Sequence, residues 1–165
     1  MPVTIIPFDR KHIRKEFSCG HESLDNYILR NAKKDVKEGA SACNVIIDEE
    51  DKVIAYFTLA SSSIPKKEVP QEIQKKINYD DIPVTLLGRL AVDGSQQGKG
   101  LGKILLVNAL WKSLKVSKNH VGSAAVVVDP IDDAAENFYL KYGFIKLPDS
   151  GRMFMTMKDI EAAFR

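Results

Sequence analysis

The sequence has few cysteines and no long apolar run, and each shortage excludes a class of protein. Its two cysteines, Cys19 and Cys43, form no C-x-x-C pair, so neither a disulfide framework nor a cysteine-based zinc site is expected. No apolar stretch approaches the roughly 20 residues that cross a bilayer, and the N-terminal segment lacks the apolar core of a signal peptide. We therefore expect a cytoplasmic protein without a membrane segment or a metal centre.

The sequence also has little excess of one charge sign, because 24 basic and 22 acidic residues leave a net charge of only +2. This balance does not by itself predict a nucleic-acid-binding protein. In a predicted helix from Ser23 to Glu38, however, basic side chains recur at i, i+3, i+4 and i+7 and so share one face. These side chains are Arg30, Lys33, Lys34 and Lys37. The face is either a solvated surface or a contact for nucleic-acid phosphates, and both interpretations stay open.

The rest of the composition is that of an ordinary globular domain, with 44% hydrophobic and 28% charged residues in a chain of 165. We expect one domain over residues 1–165, since a chain of this length can bury a sizeable core. Apolar, β-branched runs alternate with helix-like periods, which predicts an α/β fold. The predicted strands are Val3–Pro7, Ala42–Ile47, Lys52–Ala60, Val84–Val92, Ser123–Val128, Phe144–Leu147 and Met153–Met157. Further helices are predicted at Leu101–Val116 and Asp132–Tyr142, and a loop at Ser61–Pro70.

A glycine-rich turn joins the predicted strand Val84–Val92 to the helix that begins at Leu101. The first backbone N–H groups of a helix have no partner inside the helix, and the helix dipole is positive at that end. Glycines at positions 98, 100 and 102 let the main chain approach a bulky anion and adopt positive φ. The turn therefore predicts a phosphate or pyrophosphate site, with a tight connection that binds no ligand as the alternative.

The spacing of this turn excludes two common phosphate loops. A P-loop requires Ser or Thr after the lysine, whereas Gly102-Lys103 is followed by Ile104. A dinucleotide-binding turn requires G-x-G-x-x-G, whereas the spacing here is G-x-G-x-G. The pattern Q-x-x-G-x-G, at Gln97, Gly100 and Gly102, instead resembles the coenzyme A pyrophosphate loop of the GNAT acetyltransferase superfamily.

A second segment, AENFYLKYGF from Ala135 to Phe144, is similar to the aromatic helix end that follows the fifth strand of GNAT enzymes. With FxCGHESLDNYI, AYFTLASSSI and IPVTLLGRLAVD, these motifs resemble the tRNA-acetylating GNAT toxins of bacterial toxin–antitoxin modules, from Phe17 to Met157. The resemblance implies a single GNAT-type domain with a mixed, mostly antiparallel central sheet flanked by helices. It also implies acetyl transfer from acetyl-CoA to the α-amine of aminoacyl-tRNA, a block of translation, a homodimer and a ribbon-helix-helix antitoxin.

The same resemblance assigns the cofactor contacts. Backbone amides near the end of the strand would contact the acetyl and pantetheine groups, and amides of the glycine-rich turn would hold the pyrophosphate, with two lysines adding charge. A side-chain amide in the second motif would bind the pantetheine arm. These cofactor-binding candidates are Leu90, Ala91, Val92, Gln97, Gly98, Lys99, Gly100, Leu101, Gly102, Lys103 and Asn137.

Tyr139 is the candidate general acid, because its position in NFY matches the family's catalytic tyrosine and a phenol is protonated at neutral pH. Tyr142 is the alternative donor, and either ring could simply pack the helix against the sheet. No strong general base is evident, although water could serve. An α-amine, with a reference pKa of about 7.7–8.0, has an appreciable neutral fraction at pH 7, whereas a lysine amine at about 10.4 has almost none. The site therefore suits an α-amine better than a lysine side chain.

Arg89 is a charge inside an otherwise apolar predicted strand, beside the expected thioester site. A buried arginine needs a partner, so Arg89 is either one half of a structural ion pair or a contact for the tRNA acceptor end. Two further functions stay open besides the tRNA-acetylating toxin. One is a GNAT acetyltransferase of a small amine or a protein N-terminus, and the other is a non-catalytic CoA-binding module.

Overall fold

The computed structural model describes residues 3–165, and the first two residues of the predicted domain lie outside this range. The described strands are β1 (Ile6–Pro7), β2 (Ala42–Ile47), β3 (Val53–Pro65), β4 (Asp81–Val92), β5 (Ala125–Val128), β6 (Ile145–Lys146) and β7 (Met153–Thr156). They form one sheet in the order β1-β2-β3-β4-β5-β7-β6. The registers of β1 with β2, β2 with β3, β5 with β7 and β6 with β7 are antiparallel, and that of β4 with β5 is parallel. The predicted mixed, mostly antiparallel sheet is therefore confirmed.

The helices are α1 (Glu22–Asn26), α2 (Ala32–Lys37), α3 (Gln71–Gln74), α4 (Leu101–Asn119), α5 (Asp133–Lys141) and α6 (Met157–Ala163). A π-helical turn (Tyr27–Asn31) joins α1 to α2, and 3₁₀ turns occupy Lys66–Glu68 and Gly94–Gln96. Within the described part of the chain, no helix is both long and apolar enough to cross a membrane.

Among the described residues, 3–60 and 88–109 form one compact unit. Its core combines apolar residues of the helical segment 22–37 with residues of β2 and β3, among them Tyr27, Ile28, Val45 and Tyr56. The two cysteines are buried in the same core as free thiols. This packing explains why the helical segment is amphipathic, with its charged residues on the exposed side.

Residues 61–87 and 110–165 form a second compact unit. All four residues of β5 are buried, as the continuous β-branched run predicts for a strand covered on both faces. Helix α5 begins after Asp132, whose carboxylate accepts a hydrogen bond from the backbone N–H of Ala135 at 2.8 Å. It ends before Gly143, which has φ of +102° and so terminates the helix in the left-handed region.

Most element bounds differ from the sequence-based predictions by one to three residues; for example, β4 begins at Asp81 instead of Val84, and α4 continues to Asn119 instead of Val116. Further differences occur at β1, at β3 and in the first helix. Strand β1 holds only Ile6 and Pro7, because these are the residues in register with β2. The predicted loop from Ser61 begins as a strand, since β3 continues to Pro65. The first helix starts at Glu22 instead of Ser23, and a π-helical turn interrupts it.

Candidate active site

The glycine-rich turn presents unpaired backbone donors at the start of α4. Within residues 3–165, no hydrogen bond uses a backbone N–H of residues 97–103 as its donor, and the amide of Ile104 donates to the Gly100 carbonyl at 3.2 Å. Gly98 and Gly100 have φ of +81° and +82°, which residues with a side chain rarely adopt. The predicted need for positive φ is therefore confirmed at these two glycines, and Gly102 lies in the first turn of α4. Such a row of amides can bind a diphosphate.

One polar side chain links this turn to the end of β4, and a second caps the 3₁₀ turn between them. The Nε2 atom of Gln97 donates to the carbonyl oxygens of Val92, at 2.9 Å, and of Cys19, at 3.0 Å. Asp93 accepts a hydrogen bond from the backbone N–H of Ser95 at 3.0 Å and so caps the 3₁₀ turn. The side chain of Gln97 is thus engaged inside the protein, which leaves its backbone N–H as the group that can face a ligand.

Strand β4 continues beyond the residues that pair with β5. Their register ends with Leu86 opposite Val127, whereas β4 continues to Val92. The predicted backbone contacts Leu90, Ala91 and Val92 lie in this last part of the strand. Ala91 is buried, and the two residues beside it are half-buried.

Tyr139 lies on α5 and is only 5% exposed. Its ring packs edge-on against the rings of Phe138 and Phe144, with centroids 5.2 and 5.3 Å away. Burial raises the pKa of the Tyr139 phenol well above its ordinary value. The hydroxyl makes no hydrogen bond within residues 3–165. Tyr139 therefore packs the helix and also keeps a protonated hydroxyl with an uncommitted donor.

The other two candidates in the second motif are more accessible than Tyr139. Asn137 is exposed on α5. Tyr142 is the half-buried C-cap residue of α5, and its ring lies edge-on to Phe138 at 5.1 Å, with the Lys141 ammonium 5.5 Å from the ring centroid. Tyr142 thus occupies a different position from Tyr139 and is the natural comparison for it.

Arg89 has an aromatic partner in place of the ion pair that the sequence left open. Its guanidinium carbon lies 3.5 Å from the ring centroid of Tyr27, which is a cation–π contact. Among the residues that the structure describes, no carboxylate forms an ion pair with Arg89. Sequence reasoning missed Tyr27 as a partner because the two residues are far apart along the chain and neither motif includes both.

The four basic side chains of the first helical segment are all exposed. Lys33, Lys34 and Lys37 lie on α2, whereas Arg30 lies in the π-helical turn. A π turn contains one extra residue and breaks the period of 3.6 residues on which a common face depends. The predicted shared face therefore holds for the three lysines, and Arg30 is rotated away from the position that an ideal α-helix would give it.

Residues 40–146 match the family described as "Acetyltransferase (GNAT) domain". The chain belongs to the GNAT acetyltransferase family. Like other members, this GNAT protein is an acetyltransferase with acetyl-CoA as its cosubstrate. A curated relative from Mycobacterium tuberculosis, named tRNA-acetylating toxin, is 34% identical over 147 residues, which are 88% of this chain and 87% of the relative.

Solved GNAT toxin structures share the same fold. The structure of AtaT complexed with acetyl-methionyl-tRNAfMet matches with a TM-score of 0.92 and 29% identity, over 99% of this chain and 100% of that one. A tyrosine-to-phenylalanine variant of the AtaT toxin, bound to the C-terminus of the antitoxin AtaR and to acetyl-CoA, matches with a TM-score of 0.83 and 26% identity over 98% of each chain. In this GNAT protein, residues 90–103 belong to the first compact unit, and Asn137 and Tyr139 belong to the second.

Proposed function

We propose that this protein transfers the acetyl group of acetyl-CoA to the α-amine of aminoacyl-tRNA, and so blocks translation as a toxin. The observation that carries the proposal is the run of unpaired amides at residues 97–103, at the N-terminus of α4, in a chain of the GNAT family. The relatives that acetylate tRNA or hold an acetylated tRNA support the choice of acceptor.

In this proposal most of the residues that bind the cosubstrate belong to the first compact unit. The backbone amides of Gln97, Gly98, Lys99, Gly100, Leu101, Gly102 and Lys103 bind the pyrophosphate, and the two exposed lysines add positive charge. The backbone of Leu90, Ala91 and Val92 contacts the acetyl and pantetheine groups, and the Asn137 side chain binds the pantetheine arm.

Tyr139 acts as the general acid. Bound acetyl-CoA supplies the acetyl group, which passes to the amine nitrogen as a C–N bond forms and the C–S bond breaks. Tyr139 donates its phenolic proton to the departing sulfur and regains one from water, while the amine loses its extra proton to water. Burial keeps the phenol of Tyr139 protonated at neutral pH, because it raises the pKa of that group above its ordinary value.

The absence of an evident base favours an α-amine acceptor. His12 is buried, and its Nδ1 atom already accepts a hydrogen bond from the backbone N–H of Asp9 at 3.0 Å. An acceptor amine must therefore lose its proton without help from this imidazole. An α-amine with a pKa near 8 does so at neutral pH, whereas a lysine amine does not.

Acceptor competition tests the proposal. The purified protein and radiolabelled acetyl-CoA are incubated with charged tRNA, with the same tRNA uncharged, with free amino acids and with an N-terminal peptide. We expect the charged tRNA to be acetylated with a kcat/KM far above that of any free amine, and the label to leave it on hydrolysis of the aminoacyl ester. Transfer to free amines or to the peptide at an equal rate would instead support the small-amine or N-terminal enzyme. No transfer to any amine, with acetyl-CoA still bound, would support the non-catalytic module.

The exposed lysines of α2 are the proposed contact for tRNA phosphates, and Arg30, in the π-helical turn before α2, is a further candidate. Reversing the charge of Lys33, Lys34 and Lys37 should weaken tRNA binding and reduce the slope of log K against log salt by about two to three. Acetyl-CoA affinity should not change. If tRNA affinity and its salt slope stay as in the parent, these lysines are a solvated surface.

We also propose an antitoxin partner of the ribbon-helix-helix class, a homodimeric state and a cytoplasmic location, where aminoacyl-tRNA is found. The AtaT toxin that binds the C-terminus of AtaR supports a protein antitoxin. Co-expression with the product of a neighbouring gene, followed by co-purification and a translation assay, tests the partner. Sedimentation equilibrium of the purified protein tests the dimer.

A further inference from the structure

The guanidinium of Arg89 is held against a ring, and its N–H donors stay uncommitted. The contact with Tyr27 is close, at 3.5 Å from guanidinium carbon to ring centroid, and Arg89 is half-buried. Within residues 3–165, neither an ion pair nor a hydrogen bond uses this guanidinium. A stacked arginine presents its donors at the edge of the guanidinium plane, in a fork that matches two oxygens of a phosphate. Arg89 is thus oriented but unpaired.

The ring beneath Arg89 is itself fixed from two directions. The Tyr27 hydroxyl donates to the Oδ2 atom of Asp35 at 3.0 Å, and the ring stacks on Tyr56 with centroids 6.1 Å apart and planes 18° apart. The hydroxyl of Tyr56 in turn donates to the carbonyl oxygen of Leu24 at 2.6 Å. Tyr27 is only 2% exposed, so its ring has no freedom to follow a mobile arginine.

The π-helical turn is what allows Tyr27 to reach Asp35. Two turns of an α-helix take about seven residues, so residues eight apart do not lie one above the other. The turn Tyr27–Asn31 contains an extra residue, and eight residues then complete two turns. The hydrogen bond of Tyr27 to Asp35 therefore depends on this local distortion, and π turns of this kind occur frequently at functional sites.

We propose that Tyr27 and Asp35 form a positioning pair, which holds the guanidinium of Arg89 ready to bind a phosphate at the acceptor end of aminoacyl-tRNA. This inference rests on the proposed function. Arg89 contacts the substrate, whereas Tyr27 and Asp35 act through it. Since a fixed arginine loses less conformational freedom on binding than a mobile one, the positioning pair strengthens binding without touching the tRNA.

Steady-state kinetics of three variants test the positioning pair. Tyr27→Leu removes the ring, Asp35→Asn weakens the hydrogen bond that orients it, and Arg89→Gln removes the guanidinium. With aminoacyl-tRNA we expect KM to rise about tenfold for Arg89→Gln and for Tyr27→Leu, and less for Asp35→Asn, with kcat within twofold. Because Tyr27 acts through Arg89, the variant that combines Tyr27→Leu with Arg89→Gln should have the same KM for aminoacyl-tRNA as Arg89→Gln alone. Tyr79→Leu, at a tyrosine that is 70% exposed, is the matched control.

A second substrate separates phosphate binding from a merely structural role. An amino-acid methyl ester carries the same α-amine and no phosphate, so its kcat/KM should not change in any of the three variants. The inference would be overturned if the variants lost kcat/KM equally for the methyl ester and for aminoacyl-tRNA. It would also be overturned if the effects of Tyr27→Leu and Arg89→Gln on the KM for aminoacyl-tRNA were additive. If Tyr27→Leu does not fold, Asp35→Asn decides, and an unchanged KM for aminoacyl-tRNA overturns the inference. A parent protein that acetylates no aminoacyl-tRNA would instead refute the proposed function before any variant is made.

Discussion

The side-chain amide nitrogen of Gln97 lies 2.9 Å from the carbonyl oxygen of Val92, so the glycine-rich turn is fastened to the strand that it follows. A second hydrogen bond, from the same nitrogen to the Cys19 carbonyl at 3.0 Å, fastens it to a neighbouring segment. Both bonds fix the turn before any ligand arrives. The glutamine of the Q-x-x-G-x-G pattern therefore shapes the glycine-rich turn, and its backbone N–H donates no hydrogen bond within residues 3–165.

Replacing Gln97 by alanine should weaken acetyl-CoA binding. The change removes two hydrogen bonds that contribute about 1 kcal/mol each to the order of the turn. Because part of this free energy must then be supplied when acetyl-CoA binds, we expect its Kd to rise about tenfold. Titration calorimetry measures the change. Gln96→Ala is the matched control, because within residues 3–165 the Gln96 side chain makes one hydrogen bond, which its Oε1 atom accepts from Lys99 at 3.3 Å. Equal affinities for both variants would mean that these two hydrogen bonds do not support the turn.

The backbone of the turn should tolerate a side chain poorly at Gly100. A Cβ there would meet nothing within 4 Å, so the cost of Gly100→Ala comes only from φ of +82°. That strain is about 1–2 kcal/mol, and we expect a lower Tm and a several-fold rise in the acetyl-CoA Kd. Gly122→Ala controls for the added methyl group, since Gly122 also has open space but no left-handed φ. Equal Tm values and equal acetyl-CoA Kd values for Gly100→Ala and Gly122→Ala would mean that the positive φ at position 100 costs nothing.

Local signals in the sequence predicted much of this arrangement. The cap at Asp132, the stop at Gly143 and the glycines of the turn each act within a few residues, so their consequences follow from the sequence. The extension of β3 through residues 61–65 could not be predicted from the sequence, because a polar run becomes a strand only where a neighbouring strand pairs with it.

The contacts that were not predicted are those between distant residues. The stack of Arg89 on Tyr27 depends on how β4 meets the helical segment, and the π-helical turn carries no compositional signal that distinguishes it from a regular helix. The Gln97 hydrogen bond to Cys19 likewise joins residues far apart in the chain. Motif matching therefore located the residues of the candidate site, whereas the bonds that hold them in place needed the fold.

Tyr139→Phe should lower kcat and leave acetyl-CoA affinity unchanged. The substitution removes a hydroxyl that makes no hydrogen bond within residues 3–165, while the ring keeps its contacts with Phe138 and Phe144. Loss of a general acid typically costs about a hundredfold or more in rate, so kcat should fall by at least that factor with little change in Tm. Tyr142→Phe is the matched control and should retain the parent kcat. If Tyr142→Phe lost the activity instead, the proton donor would be Tyr142.

The pH dependence of the reaction should follow the acceptor amine. Because burial raises the pKa of Tyr139 above its ordinary value, the phenol keeps its proton throughout the assay range, and its ionisation removes no activity there. The kcat/KM for the amine should rise with pH up to about 8, as the α-amine loses its proton, and then stay level to pH 9.5. The rate is measured as formation of the N-acetyl amide, which is stable in acid. A fall in this rate above pH 8.5 would show that the Tyr139 phenol loses its proton early, in contradiction with its raised pKa.

The two cysteines should react slowly with thiol reagents in the folded protein. Burial and the hydrogen bond to Asp25 raise the pKa of Cys19 to about 11, and burial raises the pKa of Cys43 to about 12. At pH 8 fewer than about one thiol in a thousand is then the reactive thiolate, against roughly a quarter for a free cysteine of pKa 8.5. Labelling with Ellman's reagent at pH 8 should therefore be more than about a hundredfold slower in the native protein than in guanidinium chloride. Separate Cys19→Ser and Cys43→Ser variants assign each rate, and rapid labelling of Cys43 would mean that β2 opens readily from the core of its unit.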